Sequence, residues 1–301
     1  MPTNDSIEKI NKKRIELYNS EEYKIGSMII KMKKLLKSLN LIEMFKLVRR
    51  HHKIKKLSSF PTEEYEMRIE NKDKISNKKI VVYTCITGNY DNIIEPLFTS
   101  NNIDYIIFTD KQVNDKSIWK LKKTEDYNEL AHMNYVEMNR FIKLNPYFLF
   151  EKQYDYSIYI DGNIGIVSDI RRLLNCINPK YGIAMHKHRN RNDIYKEVEV
   201  CKLLGKGNSK KMEQQINNYR KDNFPKSYGM LEANVIVADL KNNTGKKIMI
   251  EWWKEFEESK SERDQLSLIY VLWKNKISVD SIATLGSDVY KNPIFYIESH
   301  K

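Results

Sequence analysis

Apolar residues recur along this chain with two different periods, and the change of period divides it in two. Met28, Met32, Leu35, Leu39 and Ile42 return at helical spacing, with Phe45 and Val48 extending the stripe, while Lys31, Lys33, Lys34 and Lys37 fall largely elsewhere. That pattern predicts a basic amphipathic helix. Ahead of it a weaker rhythm at Ile7, Ile10, Arg14 and Leu17 predicts a frayed helix ending near Tyr23, and the stretch from Ser58 to Lys79, with Pro61 and many charges, reads as a linker. Beyond it, compact β-rich runs appear at Ile80–Cys85, Ile103–Phe108, Ser157–Ile160, Tyr181–Met185, Ala233–Ala238 and Ile294–Ile297. Helical patterns separate them. One runs from Tyr127 to Leu144 and is stopped by Pro146; a short one is capped by Ser168 and reaches Leu174. Another, capped by Asp193, carries Ile194, Val198, Cys201 and Leu204 on one face and ends at Gly205. Lys206 to Lys226 is polar and reads as a surface helix or a lid, and two further helices span Ile248–Glu258 and Arg263–Trp273. Strands alternating with helices predict a mainly parallel, Rossmann-like α/β sheet with helices on both faces over residues 78–301. A helical basic arm and linker occupy residues 1–77.

Charge changes the reading of the arm. Of the net +12, the segment from Lys24 to Lys56 carries +10, with eleven lysines and arginines against Glu43, so the rest of the chain is close to neutral. A nucleic-acid binder more often spreads its basic residues over the folded surface, so nucleic acid is not an expected partner. The basic helix Met28–Val48 is expected instead to pack on the main domain or another subunit, or to lie on an anionic membrane. No apolar run approaches the roughly 20 residues a membrane span needs, and the polar N-terminus lacks a signal-peptide core. The expected location is therefore cytoplasmic, peripheral on the inner face of the membrane if the arm binds lipid. Cys85, Cys176 and Cys201 are widely spaced without a CxxC, which predicts three buried thiols. The GxGxxG and GxxxxGK[ST] phosphate loops are both missing from the sequence, which disfavours the dinucleotide enzymes and ATPases that use them.

The stretch YDYSIYIDGNIGIV, Tyr154 to Val167, carries the main candidate chemistry. A buried strand ends in Asp161-Gly162-Asn163, two oxygen-bearing side chains either side of a glycine. At the carboxyl end of a strand in an open α/β sheet, such a triplet is a metal-and-phosphate geometry. It is also an ordinary turn sequence, and composition and spacing alone favour the turn.

Four blocks in order alter that balance: YTCITGNYD with IIFTD, NRFIKLNPYFLF running into YDYSIYIDGNI, then MLEANVIV, then RDQLSLIYVLWK. Together, over roughly Lys79 to Lys274, they resemble the glycosyltransferase family of the plant turgor-regulation-defect and mucilage-related proteins and their bacterial relatives, a distant cousin of glycosyltransferase family eight. The resemblance implies a GT-A-like fold and transfer of a sugar from a nucleotide-sugar, with UDP-sugars first among donors. The implied acceptor is a hydroxyl of a cell-surface glycan, glycolipid, lipid-linked acceptor or polysaccharide. A glycosidase- or ceramidase-like hydrolase and a catalytically inactive, membrane-docked binding module are the alternatives.

By the same resemblance Asp161, Gly162 and Asn163 hold the place of a DxD-like triplet that binds diphosphate through Mn or Mg, with His300 as a further metal ligand. Asn163 departs from the pattern, since an amide ligates through oxygen without contributing negative charge. Thr84, Ile86, Gly88 and Tyr90 would cradle the nucleotide and Asp110 would bind its ribose or base. Arg140 and Lys143 are implied diphosphate partners, because transfer leaves charge on the departing nucleotide. His186, His188, Arg189 and Asn234 would meet the sugar or the acceptor, and Glu232, Asp264 and Gln265 are the implied catalytic residues.

Overall fold

The computed structural model describes residues 4–37, 41–58, 66–70 and 77–300. Pro61 and most of the expected linker lie outside the described residues, as does Leu39. The arm forms three helices, α1 (Asn4–Asn19), α2 (Glu21–Lys37) and α3 (Leu41–Leu57), so the helix expected over Met28–Val48 is divided between two elements. The division resets the helical phase. Met28, Met32 and Leu35 of α2 are half-buried, but in α3 it is Met44, Leu47, Ile54 and Leu57 that turn inward, leaving Ile42 and Phe45 exposed. Helix α1 is pinned to the main domain by Asn11, whose Nδ2 donates to the carbonyls of Pro293 (2.9 Å) and Phe295 (3.0 Å). Helix α3 packs on α2 and on a helix of the main domain.

The main domain is built on β1 (Ile80–Ile86), buried along its whole length. Ile80, Val82 and Ile86 enter one core while Val81, Tyr83 and Cys85 enter another, which is why this strand reads as an unbroken apolar run. β2 (Ile103–Thr109) lies parallel beside it, and β3 (Lys120–Lys123) closes that edge. The edge strand escapes the periodicity reading because all four of its residues are exposed, and its lysines guard an open edge against further pairing. After α4 (Tyr135–Leu144), Pro146 opens the short helix α5 (Pro146–Phe150), and β4 (Tyr156–Ile160) returns parallel on the other side of β1. β5 (Ile164–Ile166) follows. Then come β6 (Ile183–Lys187), α6 (Ile194–Leu204), α7 (Ser209–Lys221), β7 (Leu231–Asp239), α8 (Asn243–Ser259), α9 (Asp264–Lys274) and β8 (Phe295–Ile297).

The sheet order is β3-β2-β1-β4-β7-β6, with β7 antiparallel to both its neighbours, so five strands run one way and one runs against them. The expected mainly parallel α/β sheet is present. Helices α4 to α9 cover one face; a 3-10 turn at Ile170–Cys176 and the antiparallel pair β5–β8, with α1 outside it, cover the other. Local signals are partly redistributed. Asp193 caps α6 and Gly205 ends it at φ 65°, as expected. The 3-10 turn is capped by Asp169, whereas Ser168 donates to the Glu8 carboxylate of α1. Helix α7 buries Met212, Ile216 and Tyr219, so this polar segment is docked on the core and is no lid.

The pairing of β6 with β7 slips between Met185 and His186, where Met185 faces Ile236 but His186 faces Glu232. Across that bulge the strand changes face: Ala233 enters the same core as Leu231, and Val235 enters the opposite one. A bulge next to a cavity re-aims side chains. Here it presents Glu232 and Asn234 beside the end of β4, and the Asp161 N–H donates to the carbonyl of Asn234 (2.9 Å).

Candidate active site

A cavity of about 760 Å³ opens where β1 and β4 end. It collects Ile86, Tyr90, Arg140, Lys143, Asp161, Gly162, Asn163, His188, Arg189, Glu232, Asn234, Asp264, Gln265 and His300 from seven stretches of sequence. Of the residues singled out in the sequence, Thr84, Gly88, Asp110 and His186 do not line it. Thr84 and His186 are buried in strands, and His186 is a core histidine that meets the Asn292 amide at 3.0 Å and the Phe295 ring. Burial lowers its pKa to about 3, so it is neutral. Asp110 accepts from the N–H of Gly88 (3.0 Å), and Thr87 Oγ1 donates to the carbonyl of Tyr135 (3.1 Å); together they shape the turn after β1. Gly88 has φ 64°, and a Cβ there would lie 2.7 Å from the Tyr135 ring. Gly88→Ala should therefore destabilise the protein by about 1–2 kcal/mol from the left-handed backbone alone, read as a lower midpoint in urea.

The floor of the cavity is a buried charge network. Arg140 and Lys143, one turn apart on α4, both reach Asp264 at the start of α9, at 3.2 and 2.9 Å. Lys143 also faces Asp161 Oδ1 at 3.4 Å, and the Tyr159 hydroxyl donates to the same oxygen at 3.0 Å. Burial alone would raise the Asp264 carboxyl, but Arg140, Lys143 and Arg263 hold it well below the usual carboxylate range. Its Oδ1 also accepts the N–H of Gln265 (3.1 Å) in the first turn of α9, where Arg263 occupies the capping position without a side-chain bond. Trp252 Nε1 donates to the Asp264 carbonyl (2.8 Å), and Gln265 Nε2 donates to the Leu231 carbonyl (3.2 Å), tying α9 to α8 and β7.

The triplet after β4 is held from two sides. A Cβ on Gly162 would come within 2.6 Å of the Ile86 side chain, so glycine is demanded here by the close approach of β1. Asn163 is fastened to the C-terminal segment: its Nδ2 donates to the Glu298 carbonyl and its own carbonyl accepts the Glu298 N–H, both at 2.9 Å. Beyond Glu298 the chain brings His300 back over the cavity. Its Nδ1 faces Asp91 at 3.0 Å and its ring lies 5.1 Å from that of Tyr90. Asp91, at the end of the ITGNYD block, thus joins the triplet. The periodicity of that block gives no sign of it, since only the return of the C-terminus places a histidine opposite. Among the described residues no group of three His, Cys, Asp or Glu side chains stands close enough to hold a metal alone. Asp91, Asp161, Asn163 and His300, which line one side of the cavity with carboxylate, amide and imidazole donors, are the residues that would hold a divalent cation there.

Across the cavity stands a second network. Glu197 of α6 is buried against Arg191 and Arg263 (3.4 Å), with His188 at 3.8 Å. Burial would raise the Glu197 carboxyl, and His188, Arg191 and Arg263 bring it below its ordinary value. His188 Nδ1 accepts the N–H groups of Asn190 and Arg191, both at 3.2 Å, and burial lowers its pKa to about 4 despite Glu197. Glu197 was legible only as a charged residue on an otherwise apolar helix face with Ile194, Val198 and Cys201. Arg189 stacks on the Tyr290 ring (4.5 Å). Next to it Glu232 accepts from the N–H of Val289 (3.3 Å) and from Asn234 Nδ2 (3.3 Å); burial and the neighbouring Asp288 push its carboxyl up to about 7.

Comparison with known proteins places this chain in a family. A family model described as the TOD1/MUCI70 glycosyltransferase-like domain matches residues 43–300, so the match takes in α3 of the arm as well as the main domain. No curated protein matches the sequence. Similar solved structures include the apo bifunctional glycosyltransferase WbbM, at 15% identity and TM-score 0.41 over 68% of this chain and 39% of that one. Mouse xyloside xylosyltransferase 1 in its apo form gives 9% identity and TM-score 0.39 over 65% of this chain and 82% of that one. The mannosyltransferase Ktr4p from S. cerevisiae gives 10% and 0.34, covering 73% of each chain. The chain spans about two fifths of the length of WbbM. On the match across residues 43–300, the chain belongs to the TOD1/MUCI70 glycosyltransferase-like domain family.

Proposed function

We propose that this protein transfers a sugar from a nucleotide-sugar, with UDP-sugars the first candidates, to a hydroxyl of a glycan, glycolipid or polysaccharide acceptor. The observation that carries the reading is the placement of Asp161 and Asp264 on either side of Lys143, at the strand ends where an α/β sheet binds its ligands. Expulsion of the nucleotide diphosphate is the main barrier, and cations already fixed in place stabilise the charge it develops without reorganising. Arg140 is the half-buried cation on that floor; Lys143, enclosed between two carboxylates, positions Asp161 and Asp264 relative to each other. Asp161, Asn163 and His300, with Asp91, would hold a Mn or Mg ion, whose chemistry is Lewis-acid stabilisation of the diphosphate. Glu232, with a carboxyl near 7, suits removal of the acceptor proton, and Arg189, Asn234 and His188 line the same side for sugar or acceptor. Asp264 and Gln265 face the cavity where the reacting carbon would lie.

A thermal-shift screen of UDP- and GDP-sugars, run with Mn and with chelator and followed by turnover assays, tests this. At a hundredfold excess over Kd, the true donor should raise the melting temperature by roughly 5 °C. Asp161→Ala should reduce turnover by about a hundredfold or more. If no nucleotide-sugar binds or is consumed under either condition, the proposal fails.

A further inference from the structure

The resetting of helical phase between α2 and α3 leaves a surface that the catalytic reading does not use. On α3, Ile42, Phe45, Arg49, His52 and Lys53 recur at intervals of three and four, so they share one face, and all are exposed. Ile42 is 71% and Phe45 74% accessible, values unusual for large apolar side chains on a helix whose other face is packed. The opposite face is engaged. Met44, Leu47, Ile54 and Leu57 turn inward, α3 packs on α2 and α6, and Ile54 lines the cavity itself. Ser58, just past the helix, accepts from the Arg191 guanidinium at 3.3 Å.

We propose that the outer face of α3 docks on an anionic lipid bilayer, and that docking holds one rim of the cavity against the membrane. An apolar pair set among fixed cations on one helix face matches the acyl boundary and the charged headgroups of such a surface together. A second copy of the chain fits less well, because a two-fold contact through this face would bring together two sets of the cations Arg49 and Lys53 with no acidic residue among Ile42, Phe45, Arg49, His52 and Lys53 to pair them. Nucleic acid would satisfy the cations and leave Ile42 and Phe45 in water. Because Ile54 and Phe45 lie on opposite sides of one helix, about 10 Å separates lipid from the cavity rim. An acceptor carried on a lipid would then be presented at the mouth of the site. The docking itself stands independently of the chemistry proposed above.

The test is flotation of the full chain with phosphatidylcholine vesicles, alone and with about 30% phosphatidylserine, at low salt and at about 0.5 M salt. Two variants accompany it, Ile42→Ser with Phe45→Ser, and Arg49→Glu with Lys53→Glu. All four positions are exposed, so folding is not at stake, and unchanged melting temperatures would show that. Binding to the anionic vesicles should exceed binding to neutral ones by at least about tenfold and weaken with salt, and each variant should lose at least about tenfold. Equal binding to both vesicle types, or wild-type binding by both variants, overturns the proposal. So does a wild-type dimer in sedimentation that both variants dissociate, or retention of vesicle binding only when RNA is present.

Discussion

Replacing Asp264 by asparagine should lower stability by about 3–5 kcal/mol at neutral pH and reduce turnover by about 10²–10⁴-fold. The substitution keeps the shape of the side chain and removes the charge on which Arg140 and Lys143 converge, leaving two cations in the cavity floor without their shared partner. Linkage gives a second signature. The folded-state carboxyl is depressed below its ordinary 3.8, so its contribution is present above that value and is lost as pH falls below it. The gap between wild type and Asp264→Asn in urea unfolding should therefore be widest at pH 7 and narrow below about pH 4. An equal gap at both pH values would mean that the variant acts through packing and not through charge.

Glu232→Gln should remove most of the activity, by about 10²–10⁴-fold, while changing the pH dependence of what remains. With its carboxyl pushed up to about 7, Glu232 is protonated in mild acid, so wild-type turnover should rise with pH through about 7 and the residual rate of the variant should be flat there. Stability runs the other way. A raised folded-state value means a contribution fully present below the ordinary 4.5 and lost as pH climbs through about 7. Between pH 4.5 and 8 the variant should gain on wild type by up to about 3 kcal/mol, the free energy of a shift of this size. A variant with a normal rate and an unaltered pH profile would remove Glu232 from the reaction.

Much of the scaffold was written in local pattern. The run IVVYTC is apolar because β1 buries both faces, and Asp193 and Gly205 mark the ends of α6 because their chemistry satisfies exposed backbone groups at those ends. The chemistry-bearing residues were legible too: Asp161 after β4, Glu232 at the start of β7 and Asp264 at the start of α9 all reach one cavity. What misled was periodicity carried across a break. The stripe from Met28 to Val48 reads as one helix, yet Ile42 and Phe45 end up exposed once α3 starts in a new phase. His186 and His188 read as a pair two residues apart on an extended chain; the bulge between Met185 and His186 helps place one in the core and the other in the cavity.

By itself, then, the sequence determined the α/β alternation, the buried strands, the caps of α6, and the concentration of positive charge in the arm, because each depends on neighbours within a few residues. Only the tertiary structure decided which side of Lys143 each aspartate occupies, that His300 meets Asp91, and that Glu197 gathers Arg191 and Arg263. It also decided the meaning of Gly162. The sequence left Asp161-Gly162-Asn163 between a turn and a ligand cradle, and the fold shows the glycine making room for Ile86 while Asp161 turns to Lys143 and Asn163 clasps the C-terminal segment. Such pairings join residues tens to hundreds of positions apart, and their energies depend on burial and orientation, which no local pattern encodes.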